Sequence, residues 1–80
     1  MQTIVIAKNN EQFESYCRKH SINHSADKNV IRPLAVSRLR GVDLRNADIV
    51  FLSGYYENPV NRRLSRSIRE KAGGNKPRYA

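Results

Sequence analysis

Residues 3–7, "TIVIA", run apolar and β-branched with no polar residue alternating after Thr3. A strand with one wet face shows alternation, whereas a strand covered on both faces does not, and that is the situation of a strand inside a parallel sheet. Parallel neighbours are joined by crossovers, almost always right-handed, so helical segments must follow and return over the sheet. We therefore expect an α/β fold from these five residues onward.

The segments that follow fit that expectation. Asn9 stands as an N-cap with Gln12 three positions on, and Glu11 and Glu14 fall in the first turn, where the helix dipole favours anions. Phe13, Tyr16, Cys17 and His20 are spaced to form one stripe facing the sheet. Residues 23–29, "NHSADKN", read as a loop. In "VIRPLAVS" (30–37), Pro33 removes a backbone donor, so the strand is expected to start late, with Leu34–Val36 as its regular part. "RLRGVDLRNA" (38–47) reads as a single turn or an irregular connection, and "DIVFLSGYY" (48–56) as the third strand.

In the closing segment, Asn58 is a cap, Pro59 suits the first helical position, and Val60, Leu64, Ile68 and Ala72 recur every four residues. Gly73 and Gly74 stop the helix. The expected order is strand, helix, strand, strand, helix: a small, mainly parallel three-stranded sheet with helices packed on it, as one domain over 1–72, with 73–80 a flexible basic tail. The exposed edges of so thin a sheet would suit a homodimer.

Eighty residues hold one domain, and at this size only about 60% of the unfolded surface is buried, so the core is thin. A lone cysteine excludes an internal disulfide and a thiolate metal centre. The "TIVIA" run is too short for a signal peptide or a membrane span, and we expect a cytoplasmic protein that does not engage membrane. The net charge of +8 is uneven: residues 1–57 carry eight basic and six acidic side chains, residues 58–80 seven basic and one acidic. That asymmetry points to an anionic partner without choosing which.

A family likeness rests on "TIVIAKNNEQFESYCRKHSI", which resembles the opening strand and helix of the C-terminal RecA-like domain of DEAD-box-type helicases. "LAVSRLRGVDLRNADIVFLSGYYENP" is similar to a later stretch of that domain, and "SRSIREKAG" echoes its arginine-rich motif. The resemblance implies a trimmed Rossmann/RecA-like fragment, with Arg40, Gly41 and Asp43 matching an Arg-Gly-x-Asp element that contacts nucleic acid and nucleotide, and with Arg66 and Arg69 where arginine fingers occur. The chain has no GxxxxGK[ST] loop and no second domain to hold a nucleotide against these arginines, so it does not hydrolyse ATP by itself.

Helical spacing gathers Arg62, Arg66 and Arg69 on the side opposite the aliphatic stripe, with Arg63 between the faces and Lys71 near the end. Guanidinium forks suit phosphate oxygens; the plainer alternative is a solvated helix face offset by Glu70. Arg38, Arg40 and Arg45 flank the second connection, where a charge network with Asp43 and Asp48 competes with a binding loop that would sit beside Tyr55. Tyr55 and Tyr56 lie past a strand's carboxyl end, the side on which open parallel sheets bind ligands; they would stack on bases or simply cover the core rim, and Tyr79 would stack only if the tail became ordered. His20 and His24 lack partners for a metal set, Cys17 lies on the apolar stripe, and Ser53, Ser65 and Ser67 have no positioned base.

From the sequence we expect a small non-enzymatic basic binding protein without cofactor or metal, of the kind phages and mobile elements encode. Its partner would be nucleic acid or a nucleoprotein machine. The alternative is an interaction module, an inhibitor or adaptor that docks an acidic protein surface on a host enzyme. A third reading is an enzyme acting on a small phosphorylated molecule between Tyr55 and the 38–45 connection.

Overall fold

In a computed structural model, which describes residues 2–80, the chain forms four strands: β1 (Thr3–Ile6), β2 (Val30–Ile31), β3 (Asp48–Phe51) and β4 (Arg78–Tyr79). Two α-helices, α1 (Asn10–Lys19) and α2 (Pro59–Lys71), and two 3-10 turns, Val36–Leu39 and Tyr55–Glu57, complete the described elements. The sheet is parallel throughout, in the order β2-β1-β3-β4. β1 and β3 pair residue for residue from Thr3–Asp48 to Ile6–Phe51 and form its centre.

The uniformly apolar character of β1 follows from this placement. Ile4 and Ile6 face one core with Ile49, Phe51, Leu64, Ile68 and Ala72; Val5 and Ala7 face the other with Val50, Leu52, Phe13 and Cys17. α2 thus covers one face of the sheet and α1 the other. Right-handed crossovers require this arrangement when one connection steps outward from β1 to β2 and another steps the opposite way from β3 to β4. The 32–47 connection passes over the α2 face, where Leu39, Leu44 and Ala47 are buried.

The helices end where local chemistry dictates. Asn9 Oδ1 accepts from the Gln12 amide at 2.8 Å and Asn58 Oδ1 from the Val60 amide at 3.2 Å, so each expected N-cap is in place. Pro59 opens α2, and Gly73, at a φ of 61°, turns the chain away beyond its end in a left-handed conformation. The aliphatic stripe of α2 is inward as expected, whereas His20 of the α1 stripe is exposed and packs on Tyr16 with ring centroids 4.3 Å apart.

Three expectations need correction. The sheet has four strands, not three, because Arg78–Tyr79 of the expected tail pairs in parallel with Val50–Phe51. β2 occupies Val30–Ile31, ahead of Pro33 instead of after it: the proline cannot donate to the ladder, so pairing stops before it, and Leu34 is exposed. β3 ends at Phe51, five residues before the expected limit of 56, because Gly54 takes a left-handed φ of 75° and starts a 3-10 turn.

The two sides of α2 should therefore differ sharply in their response to truncation. Leu64→Ala or Ile68→Ala, each fully buried, should lower unfolding free energy by about 2–5 kcal/mol, and Arg66→Ala by about 0.5 kcal/mol or less, as read from urea midpoints.

Candidate functional site

The outer side of α2 carries Arg62, Arg63, Arg66, Arg69 and Lys71, all exposed. Arg62, Ser65, Arg66, Arg69 and Glu70 line one shallow cleft of about 430 Å³. Among the described residues the one ion pair is between Arg78 and Asp48, at 2.7 Å, so Glu70 shares the cleft without pairing closely with any of its arginines. Arg63 and Lys71 are exposed outside this lining; Lys71 shares the last turn of α2 with Arg69, where cations complement the helix dipole.

Arg69 joins the basic face to an aromatic row. Its Nη2 donates to the Tyr79 hydroxyl at 2.8 Å, and its guanidinium carbon lies 5.9 Å from the centroid of the Phe51 ring. The hydrogen bond to Tyr79 holds the guanidinium even more firmly protonated than usual. Phe51 in turn stacks with Tyr79 at 5.4 Å and 20°, and meets Tyr55 at 4.8 Å, while Tyr55 meets Tyr56 edge-on at 5.6 Å. Tyr55 is half-buried and covers the core rim on the α2 side.

The strand order reverses direction between β1 and β3, and their carboxyl ends define the crevice in which open α/β sheets ordinarily hold ligands. Here amide side chains fill it. Gln12 Oε1 accepts from the Lys8 amide at 2.8 Å while its Nε2 donates to the Ser53 carbonyl at 2.7 Å. Asn58 Nδ2 reaches the Lys8 carbonyl at 3.2 Å, and the buried Asn61 donates to the carbonyls of Ala7 at 2.6 Å and Tyr55 at 2.8 Å. The loops after β1 and β3 and the first turns of both helices are thereby laced together.

Two arginines of the second connection, Arg38 and Arg45, line different clefts, and Tyr55 lines neither. Arg45 packs against Gly73 and shares a cleft with Ala72, Gly74 and Asn75 at the far end of α2, a helix of 13 residues and thus about 20 Å long. Arg38 lines a separate groove of about 300 Å³ with Ile31, Arg32, Pro33 and the exposed Leu34. Burial pulls the Arg32 guanidinium below its ordinary pKa, and its Nε is buried without a hydrogen-bond partner. Arg40 is exposed at the end of the Val36–Leu39 turn, followed by Gly41 at a φ of 77°. The expected network with Asp43 and Asp48 is replaced: Asp43 accepts from Asn46 Nδ2 at 2.7 Å, and Asp48 takes a two-point contact from Arg78 at 3.0 and 2.7 Å. That contact sustains the Arg78 charge, raising its pKa further.

Sequence reasoning missed Gln12 as a bridge, Asn61, and Asn75, whose Nδ2 donates to the carbonyls of Leu44 and Ala47, each at 2.8 Å. Asn61 carried a usable signal, an amide on the otherwise inward side of α2 one turn ahead of Leu64 and Ser65. Among the described residues no group of His, Cys, Asp and Glu side chains is placed to hold a metal ion, and no helix is long and apolar enough to cross a membrane. No family model, no curated protein and no solved structure matches this chain.

Two outcomes test the local chemistry. Asn61→Ala strips two carbonyls of their buried donor and should cost about 1–3 kcal/mol of stability by urea titration. Cys17 is buried, and burial, with a smaller push from Glu14, raises its pKa. Its alkylation at pH 8 should be about tenfold or more slower in the native protein than in denaturant.

Proposed function

We propose that this protein is a non-enzymatic nucleic-acid-binding module that takes the phosphate backbone in the cleft of Arg62, Arg66 and Arg69. The observation that carries this is the convergence of three exposed arginines, one turn apart along α2, on a cleft whose only acidic neighbour among its lining residues makes no close ion pair. Planar guanidinium forks engage phosphate oxygens in two-point contacts, and the helix fixes the spacing of the backbone that carries them. The excess of basic residues over 58–80 adds attraction at longer range. Arg63 and Lys71 flank the cleft and contribute charge, whereas Arg38 and Arg40 lie off it and contribute only to the general field. Contacts of this kind fix position on a backbone and do not read base sequence.

The helicase likeness enters as scaffold alone. A parallel sheet with helices on both faces is common to it and to many unrelated activities.

Fluorescence anisotropy with labelled oligonucleotides should show binding at low salt, with log affinity falling linearly in log salt concentration. Replacing Arg62, Arg66 and Arg69 together by Ala should flatten that slope by about 2 for a single strand, at about 0.7 per lost phosphate contact. Absence of binding to any oligonucleotide at low salt would overturn the proposal and turn attention to an acidic protein surface as the partner.

A further inference from the structure

Tyr79 is exposed to 62%, yet its side chain has a partner at the ring and another at the hydroxyl. One ring face lies against Phe51 at 5.4 Å and 20°, and its hydroxyl accepts from Arg69 at 2.8 Å. Its backbone is fixed as well: Ala80 donates to the Phe51 carbonyl at 2.9 Å, and the Ser53 amide donates to the Ala80 carbonyl at 2.9 Å. Upstream, Asn75 bridges two carbonyls of the loop that enters β3, and Arg78 grips Asp48. An aromatic ring held flat on one side, with most of its surface open to water, exposes apolar area that the fold does not need for its core.

We infer that the ligand of the arginine cleft is single-stranded nucleic acid, with one base stacked on the open face of Tyr79 and the adjoining phosphates in the cleft of Arg62, Arg66 and Arg69. The inference rests on the nucleic-acid reading of that cleft. Arg69 belongs to both halves of the site, since it lines the cleft and holds the Tyr79 hydroxyl. Ring and phosphate subsites are therefore neighbours, as they must be if one nucleotide is to span them. In a duplex every base is already stacked and paired, so the ring face would stay unused; a single strand offers unstacked bases, and base-aromatic stacking tolerates any of them. A basic groove beside a stacking platform is the general physical solution for binding single strands without sequence preference.

The test compares a labelled oligo-dT with a duplex of equal phosphate count, at one salt concentration. Wild type should favour oligo-dT, and Tyr79→Leu should weaken oligo-dT about 5- to 100-fold relative to Tyr79→Phe, which lacks the same hydrogen bond to Arg69, whereas the two variants should bind duplex within about twofold of each other. Tyr79→Phe keeps the stack and should retain most single-strand affinity. Tyr79→Trp would carry the only tryptophan in a chain that has none. Its emission should be quenched by oligo-dT and left unchanged by duplex; this reads the stack directly, and each variant's thermal midpoint reports whether its fold is intact. Equal wild-type affinity for the two oligonucleotides, full single-strand affinity in Tyr79→Leu, or an unquenched tryptophan would each overturn the inference while leaving the arginine cleft in place. If neither oligonucleotide binds, the cleft reading falls and takes this inference with it.

Discussion

β1 is paired by β3 along its whole length and by β2 over Thr3 and Ile4, and Ile4, Val5 and Ile6 are buried with side chains on both faces of the sheet. A strand in that position obliges the chain to supply cover for each face, and right-handed connections place the two helices on opposite faces because the α1 crossover from β1 to β2 and the α2 crossover from β3 to β4 travel in opposite directions. α2 is thereby committed to one face, over β1 and β3, with Leu64 and Ile68 at 0% exposure beneath it. Once its aliphatic side is spent on the core, the arginines have no direction left but outward. The basic cleft is thus a consequence of how β1 is covered.

Much of this was legible in residue order. The unalternating run at 3–7, the caps at Asn9 and Asn58, the proline at 59 and the fourfold spacing from Val60 to Ala72 each name a local physical requirement, and the structure meets each of them. What escaped were features too short to have a period. β2 and β4 contain two residues each, and two residues cannot alternate or repeat. Pro33 signalled a limit to pairing without saying on which side the ladder would lie.

The site was legible to a lesser degree, for a related reason. Helical spacing places Arg62, Arg66 and Arg69 together because they share one element. It says nothing of Tyr79 and Arg69, which meet only because Asn75 and the Arg78–Asp48 pair steer the last residues back onto the sheet. Asp48 illustrates the ambiguity: in sequence its basic neighbours are Arg45 and Arg40, and in space its partner is Arg78, which arrives thirty positions later. Composition correctly located the charge and could not assign the pairs.

The amide lacing between the first turns of α1 and α2 has an implication for design. Gln12, Asn58 and Asn61 act as a built-in occupant of the position that related architectures leave vacant for small molecules. Shortening those side chains, with stabilising changes elsewhere to offset the lost hydrogen bonds, would hollow out a chamber flanked by two helix amino termini. A scaffold of 80 residues could in that way be converted into a receptor for small anions.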